Sequence, residues 1–285
     1  MKKLQVAVIG LGRLGSACAH ALIDEGELAL AGIVRRPGSL GPLPGRLQHF
    51  PAVAHVRDLP EVDVALVCVP IDTVSGVARE LLQARIPIVE CASLEGHALA
   101  AYHAELDDVA KGHRVTAIVG AGWNPGVLPL FTRAFEILIP RGQNVFHQHP
   151  GVSLHHSAAV AQLHGVKGAL AGEYRGADGA LQRYVYVELQ RGADFERVRA
   201  AIAADPLFAG EATQIFQLES LSELEAEEGQ GMVLERRSGA ESGMHPSLLL
   251  EARFELAAFA ARVMLDAARR IPALRHGAHG YALGI

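Results

Sequence analysis

The sequence predicts an α/β protein in which a doubly wound parallel sheet is joined to a second, α+β domain. About the first 120 residues alternate short apolar runs with amphipathic segments, as strand-helix-strand units do. A glycine-rich turn directly follows the first apolar run. After Gly122 the apolar and polar residues alternate singly, which favours antiparallel strands with one packed face.

Composition and charge restrict the classes of function. The chain has 285 residues, of which 50% are apolar and 20% are charged, enough for about two folded domains. The net charge is −5 and no dense run of Lys or Arg occurs, so neither nucleic acid nor a membrane is the expected partner. Three cysteines favour a reducing cytoplasm over a disulfide framework. A small ligand is the expected partner.

The apolar pattern assigns each element. It predicts strands at residues 4–9, 28–34, 62–69, 86–89 and 115–119, with helices at 13–24, 72–84 and 96–112. Further along, residues 183–189 and 213–218 alternate as antiparallel strands, and 194–204 form a helix capped by Asp194. Residues 247–271 are predicted to form one long helix, and 272–285 have no assignable pattern. The expected domains are 1–121, 122–245 and a C-terminal segment, 246–285, that packs back near the first.

The glycine-rich turn carries the sharpest chemical signal. It comprises Gly10, Gly12 and Gly15, with Arg13 and Leu14 between the last two, and it opens the first helix. Glycine at these positions permits a tight turn, close approach of a pyrophosphate, and close packing of helix on strand. The helix N-terminus then offers unpaired N–H groups to the phosphates. The motif predicts a Rossmann-type dinucleotide site, the alternative being a purely structural turn.

The end of the second strand indicates which dinucleotide binds. An acidic residue there would hold a ribose 2′-hydroxyl, but this chain has Arg35 and Arg36. Guanidinium groups bind a 2′-phosphate through charge-assisted hydrogen bonds, which favours NADP(H); the alternative is two solvated arginines. Val69 and Pro70 end a later strand and are expected near the nicotinamide side of the crevice.

Several segments together resemble one enzyme family. These are residues 8–15, 32–36, 66–70, the turn A-G-W-N-P-G at 121–126 and the segment H-P-G-V-S-L-H-H-S at 149–157. They resemble the meso-diaminopimelate dehydrogenases, which reversibly oxidise the D-configured amino-acid centre with NADP+. The resemblance implies an NADP-binding Rossmann domain (1–121), a domain for substrate binding and dimerisation (122–245), and a homodimer.

The resemblance also assigns substrate-site residues. It implies that Trp123 lies against the substrate near the nicotinamide, that Gly126 of the same turn belongs to the substrate site, and that Arg183 and His245 meet a distal carboxylate. Three of these residues have a structural alternative. Trp123 could be a core residue, Arg183 a charge at a sheet edge, and His245 a neighbour of a helix cap.

The chain departs from the family at the reacting centre. Ser93 and Asn124 stand where the family has aspartates that hold the substrate ammonium, and His155 stands where it has a small residue. Hydrogen bonds to charged groups are worth roughly 1.5–3 kcal/mol and neutral ones about 1 kcal/mol, so substrate binding is expected to weaken or change. Trp123 and Asn124 are predicted around the reacting centre, with Ser93 and His155 near it.

Three functions remain open from the sequence. The first is an NADP-dependent amino-acid dehydrogenase of the diaminopimelate type, the second an NADPH-dependent reductase of another small imine or carbonyl, and the third a non-catalytic NADPH-binding protein.

His147, His149, His155 and His156 are close in sequence, but no carboxylate or cysteine completes a recognisable ligand spacing. No metal site is predicted.

Overall fold

A seven-stranded parallel sheet is built from the N-terminal part of the chain and its C-terminal end. The computed structural model describes residues 2–94, 96–150, 153–175, 181–210, 212–222, 224, 230–238 and 246–282. The strands of this sheet, numbered along the chain, are β1 (Leu4–Ile9), β2 (Leu28–Val34), β3 (Ala52–Val53), β4 (Val64–Val67), β5 (Ile88–Glu90), β6 (Thr116–Val119) and β13 (Gly277–Gly280). They lie in the order β3-β2-β1-β4-β5-β6-β13.

Helices cover both faces of this sheet, which confirms the predicted doubly wound arrangement. The helices of this part of the chain are α1 (Arg13–Ile23), α2 (Ile71–Gln83), α3 (Gly96–His113), α4 (Val127–Leu138) and α7 (Leu256–Arg270). On one face, Leu22 of α1 and Met264 of α7 join the same apolar core. On the other, Leu82 of α2 and Leu106 of α3 share a second core. The central strands are therefore buried on both sides, as their continuous apolar sequences require.

The strand order reverses beside β1. From β1 the chain moves outward through β2 to β3, then returns to β4 on the opposite side of β1. In open parallel sheets, ligands bind beyond the carboxyl ends of the strands at such a reversal. The glycine-rich turn follows β1, and Val69 follows β4.

The described residues in the middle of the chain form two three-stranded sheets, together with the helices α5 and α6. One sheet has the order β10-β9-β8, and the other β12-β11-β7. Their elements, in chain order, are β7 (Gly142–Pro150), α5 (Leu154–Ala161), β8 (Val166–Arg175), β9 (Leu181–Leu189), α6 (Phe195–Ala204), β10 (Ala212–Leu218), β11 (Gln230–Ser238) and β12 (Ser247–Arg253). The predicted cap of α6 is confirmed, since the Asp194 carboxylate accepts a hydrogen bond from the Glu196 N–H at 2.9 Å.

The prediction of antiparallel strands is confirmed for most pairs but not for β10. Strands β8 and β9 pair antiparallel, as do β7, β11 and β12. Strand β10 instead runs parallel to β9. The helix α6 connects these two strands. It carries the chain back to the end of the sheet at which β9 begins, so β10 runs in the same direction as β9.

The prediction of one helix over residues 247–271 is wrong in its first part. Residues Ser247–Arg253 form β12, in which exposed and half-buried residues alternate, and the helix begins only at Leu256. Strand β12 pairs with β11 from Gly231 opposite Arg253 to Arg237 opposite Ser247. The pairing with β11 satisfies the backbone of this strand, although the spacing of Leu250, Phe254 and Ala257 is also compatible with a helix. Residues 277–280, which had no assigned pattern, form the edge strand β13.

The chain divides into two compact units that differ in their bounds from the expected domains. One unit comprises Met1–Arg133 with Leu256–Ile285, and the other Ala134–Glu255. The expected boundaries at 121 and 245 both lie earlier, because the turn at 120–126 leads into α4 and because β12 belongs to the second unit. No helix among the described residues is both long and apolar enough to cross a bilayer.

Candidate active site

The glycine-rich turn has the geometry that its sequence predicts. Gly10 has a φ of +93°, and a Cβ there would lie 2.6 Å from the Cys68 carbonyl oxygen. A Cβ on Gly15 would lie 2.0 Å from the Gly10 carbonyl oxygen. Both positions are therefore closed to larger residues by the protein itself. A Cβ on Gly12 would meet nothing within 4 Å, so this glycine leaves open space at the start of α1.

Three strand ends meet at this turn. The Gly10 N–H donates to the Val34 carbonyl at 2.9 Å, which holds the turn against the residue before Arg35. The Val69 side chain lies 3.4 Å from the Cβ position of Gly10. Arg13 and Leu14 begin α1, and Pro70 immediately precedes α2. The predicted dinucleotide residues thus lie together at the carboxyl edge of the sheet.

The residues around the turn fit a dinucleotide with a further phosphate. Helix α1 has no acidic residue in its first turn, so its N-terminal N–H groups face no competing carboxylate there. Arg36 is exposed and Arg35 is half-buried, and neither pairs with an acidic side chain of any described residue. Two cations and an open glycine suit a pyrophosphate and a 2′-phosphate.

The loops after β5 and β6 form the second part of the site. Ser93 is exposed in the first loop, and Asn124 is exposed in the second. The loops touch, since a Cβ on Gly122 would lie 3.1 Å from the Cys91 Cβ atom. The structure therefore brings together the segments that carry Ser93 and Asn124, both within one unit.

The turn at 120–126 is tightly built. A Cβ on Gly126 would lie 2.3 Å from the Gly122 carbonyl oxygen, so the turn itself requires this glycine. The Asn124–Pro125 peptide is cis. The Trp123 carbonyl accepts from the Leu128 N–H at 2.9 Å, which joins the turn to the start of α4.

Aromatic packing fixes the indole of Trp123. Its ring meets Phe259 of α7 edge-on, with centroids 5.2 Å apart, and Phe131 of α4 at 6.5 Å. The side chain is half-buried, because these contacts cover only part of it. Trp123 therefore packs on the core, as the structural alternative expected, and still presents surface beside Asn124.

Glu90, at the end of β5, is a buried acid of the candidate site to which the sequence motifs assigned no role. Its side chain is 0% exposed, and burial raises its pKa from the ordinary 4.5 to about 7. Its oxygens accept hydrogen bonds from the N–H groups of Ala92 at 2.6 Å and Gly120 at 2.9 Å. A carboxylate at the end of the apolar run Ile88-Val89 was the available signal, since an acid there must be buried with the strand.

His155 and Arg183 belong to the other unit. His155 lies in the first turn of α5, where its N–H donates to the Glu251 carboxylate at 3.1 Å; the Leu154 N–H donates to the same group at 2.6 Å. Arg183 is 2% exposed on β9, the central strand of its sheet, so it is not a charge at a sheet edge.

Some of the predicted residues lie outside the part of the chain that the structure describes. His245 lies outside the described residues, as do the side chains of His147 and His149. His156 lies on α5, and its ring accepts from or donates to the Ser153 hydroxyl at 2.8 Å. Within the described ranges, no three His, Cys, Asp or Glu side chains form a group that could hold a metal ion.

Comparisons with known proteins agree with this arrangement. Residues 5–93 match the family model "NADP oxidoreductase coenzyme F420-dependent". A meso-diaminopimelate D-dehydrogenase from Bacteroides fragilis is 32% identical over 270 residues, covering 94% of this chain and 89% of the relative.

Two solved structures share the fold at 19% sequence identity, each covering 98% of this chain and 93% of the other. They are the diaminopimelate dehydrogenase of C. glutamicum in complex with diaminopimelate, with a TM-score of 0.61, and an engineered D-amino acid dehydrogenase bound to NADP+, with a TM-score of 0.59. At that identity they establish the architecture alone.

Proposed function

Because the chain belongs to the meso-diaminopimelate D-dehydrogenase family, we propose that it catalyses the reversible, NADP(H)-dependent oxidation of the CH–NH2 group of a D-configured amino acid. Family membership supplies the class of reaction. The observation of this chain that carries the proposal is the open glycine turn beside two arginines that have no acidic partner among the described residues. A dinucleotide with a 2′-phosphate matches both features.

The cofactor site is assigned to residues at three strand ends. Gly10, Gly12 and Gly15 with the N–H groups of α1 would hold the pyrophosphate, and Arg35 with Arg36 would hold the 2′-phosphate. Bound NADP+ supplies a hydride acceptor for the carbon that bears the amine. Arg13 and Leu14 line the start of α1, and Val69 and Pro70 are assigned to the nicotinamide side.

The reacting centre is assigned to the two loops that carry Ser93 and the segment Trp123, Asn124 and Gly126. The substrate amine must be neutral before its carbon loses a hydride, so the site has to remove a proton from the ammonium. Ser93 and Asn124 are uncharged and stabilise an ammonium less than two carboxylates would. We therefore expect this site to bind the charged substrate less tightly than a site with two carboxylates would. The free-energy cost of removing the proton from the ammonium should be smaller for the same reason.

Residues of the second unit are assigned to the remainder of the substrate. His155 is placed near the reacting centre in this proposal, and Arg183 and His245 on a distal carboxylate. The first unit then binds NADP(H), and the second binds substrate and forms a homodimer. A cytoplasmic location is supported by Cys18, Cys68 and Cys91, which are all free thiols.

Turnover by the purified chain tests the proposal. We expect NADP+ reduction with meso-diaminopimelate or with members of a panel of D-amino acids, and none with the L-enantiomers or with NAD+ at equal concentration. Tight NADPH binding without turnover of any amine in either direction would overturn the proposal. Reduction of a carbonyl or imine without any incorporation of ammonia would redirect it to the alternative reductase.

A further inference from the structure

Glu90 connects the two loops of the reacting centre. Its Oε2 atom accepts from the Ala92 N–H at 2.6 Å, in the residue before Ser93. Its Oε1 atom accepts from the Gly120 N–H at 2.9 Å, at the start of the turn that carries Trp123. Its main-chain oxygen also accepts from the Ala121 N–H at 2.8 Å. One residue therefore makes hydrogen bonds to both loops.

Only an ionised carboxylate makes both side-chain contacts well. Each oxygen of a carboxylate accepts, whereas a protonated acid or an amide places a donor on one side. That donor would face a backbone N–H, so one of the two hydrogen bonds would be lost. The link between the loops thus depends on the charge of Glu90 and not only on its shape.

The ionised form of Glu90 is energetically unfavourable at this position. No basic side chain of a described residue pairs with Glu90, and burial disfavours its ionised form. Among the described residues, the titratable groups that interact with it are Cys91, in the loop after β5, and Tyr102 of α3. Burial raises the pKa of Cys91 to about 12 and raises the pKa of Tyr102 well above its usual value, and Glu90 contributes to both shifts. A thiol and a phenol are either neutral or anionic, so neither group can offset the negative charge of Glu90.

We propose that Glu90 is a positioning residue for the amine-oxidising centre: its carboxylate holds the Ala92–Ser93 segment and the turn beginning at Gly120 in register, and releases one of them on taking up a proton. This role deepens the proposed function and rests on it for its catalytic consequence. Glu90 itself makes no contact with substrate in this proposal. It acts through Ser93, Trp123 and Asn124.

The chain carries its own probe for this movement. Trp123 is its one tryptophan and lies three residues after Gly120, within the turn that Glu90 holds. We expect the Trp123 emission of the apo protein to change with a midpoint near pH 7, the point at which Glu90 takes up a proton. Glu90→Gln should abolish that transition. Glu105→Gln, a change at an exposed carboxylate on α3, should keep it. A transition that persists in Glu90→Gln, or no transition in the wild-type chain, overturns the proposal.

A kinetic measurement connects the movement to the reaction. With any amine that the wild-type chain oxidises, Glu90→Gln should lower kcat by about tenfold above pH 7, as loss of one hydrogen bond to a charged group predicts, and flatten the pH profile of kcat near 7. The Kd for NADPH should not change.

Glu90→Asp keeps a titrating group that is too short for both loops, so it should retain a pH transition at a displaced midpoint while kcat still falls. Wild-type kcat and pH profile in Glu90→Gln would exclude the role. Because the emission measurement needs no turnover, it decides the proposal even if the proposed reaction fails.

Discussion

The carboxyl edge of the parallel sheet has two loop regions that place their charge differently. Beside the glycine turn, Arg35 and Arg36 follow β2 and are at least partly open to solvent, where a ligand can meet them directly. In the loops after β5 and β6, the accessible groups Ser93 and Asn124 are neutral, and the carboxylate of Glu90 is 0% exposed behind them. In the proposed assignments, the charge of the first region binds the cofactor, and the charge of the second maintains the geometry of the loops.

This difference has a thermodynamic side. Exposed arginines cost the folded state little, since water screens them. A buried, unpaired carboxylate lowers stability wherever it is ionised. A charge kept at such a cost is typical of functional sites, where stability is given up for a defined geometry.

The largest expected effect comes from the turn that defines the first region. Gly15→Ala would place a Cβ 2.0 Å from the Gly10 carbonyl oxygen, and overpacking of this kind costs about 1–3 kcal/mol. We expect a lower Tm and no measurable NADPH binding. Gly12→Ala is the matched control: its Cβ meets nothing in the protein, so Tm should stay close to that of the wild type while the Kd for NADPH rises at least about tenfold. Undiminished affinity in Gly12→Ala would show that no ligand uses this space.

Local signals explain which parts could be predicted. The glycine turn and the Asp194 cap depend on neighbours in sequence, and both are found where the sequence predicts them. Strand β12 was predicted as helix because the helical spacing of Leu250, Phe254 and Ala257 continues without Gly or Pro. That spacing gives no sign of the pairing with the preceding strand β11. The surroundings of Glu90 could not be predicted either, since its burial and its contact with Gly120 arise only when β5 and β6 pair.

The arginine pair provides the next test of the first region. Each charge-assisted hydrogen bond is worth about 1.5–3 kcal/mol, so Arg35→Ala with Arg36→Ala should raise the Kd for NADP+ about a hundredfold or more. The Kd for NAD+, which lacks the 2′-phosphate, should not change. Isothermal titration of both nucleotides gives the comparison, with Arg79→Ala on α2 as the control arginine. An equal loss for both nucleotides would mean that the pair does not distinguish them.

The buried carboxylate is tested by the pH dependence of stability. Its folded-state pKa of about 7 lies above the ordinary 4.5, so the folded state retains a proton that the unfolded state has released. Stability from this group is therefore unaffected below about 4.5 and is lost as pH rises to 7, by about 3 kcal/mol in total. Glu90→Gln removes this loss.

Urea unfolding of both proteins across this pH range measures the effect. The free energy of unfolding of Glu90→Gln relative to the wild type should increase by about 3 kcal/mol between pH 4.5 and 8. Other titrating groups cancel in the difference, and Glu105→Gln should show no such trend. A difference that stays constant with pH would mean that Glu90 is ionised without cost, and the contrast between the two regions would disappear.

The smallest expected effect comes from giving the second region exposed charge. Ser93→Asp with Asn124→Asp supplies two carboxylates to a substrate ammonium, and the gain of a charged over a neutral hydrogen bond should lower the KM for meso-diaminopimelate by about tenfold. The control Ser93→Asn introduces a side chain that is isosteric with aspartate but uncharged, and it should not lower the KM. The new carboxylates also lie close in sequence to Glu90 and Gly120, so like-charge repulsion should raise the pKa of Glu90 further and move the kcat profile to higher pH. A lower KM without that shift would mean that the new carboxylates and the buried Glu90 act independently. Both changes together would show that the charge of Glu90 disfavours exposed carboxylates in these two loops.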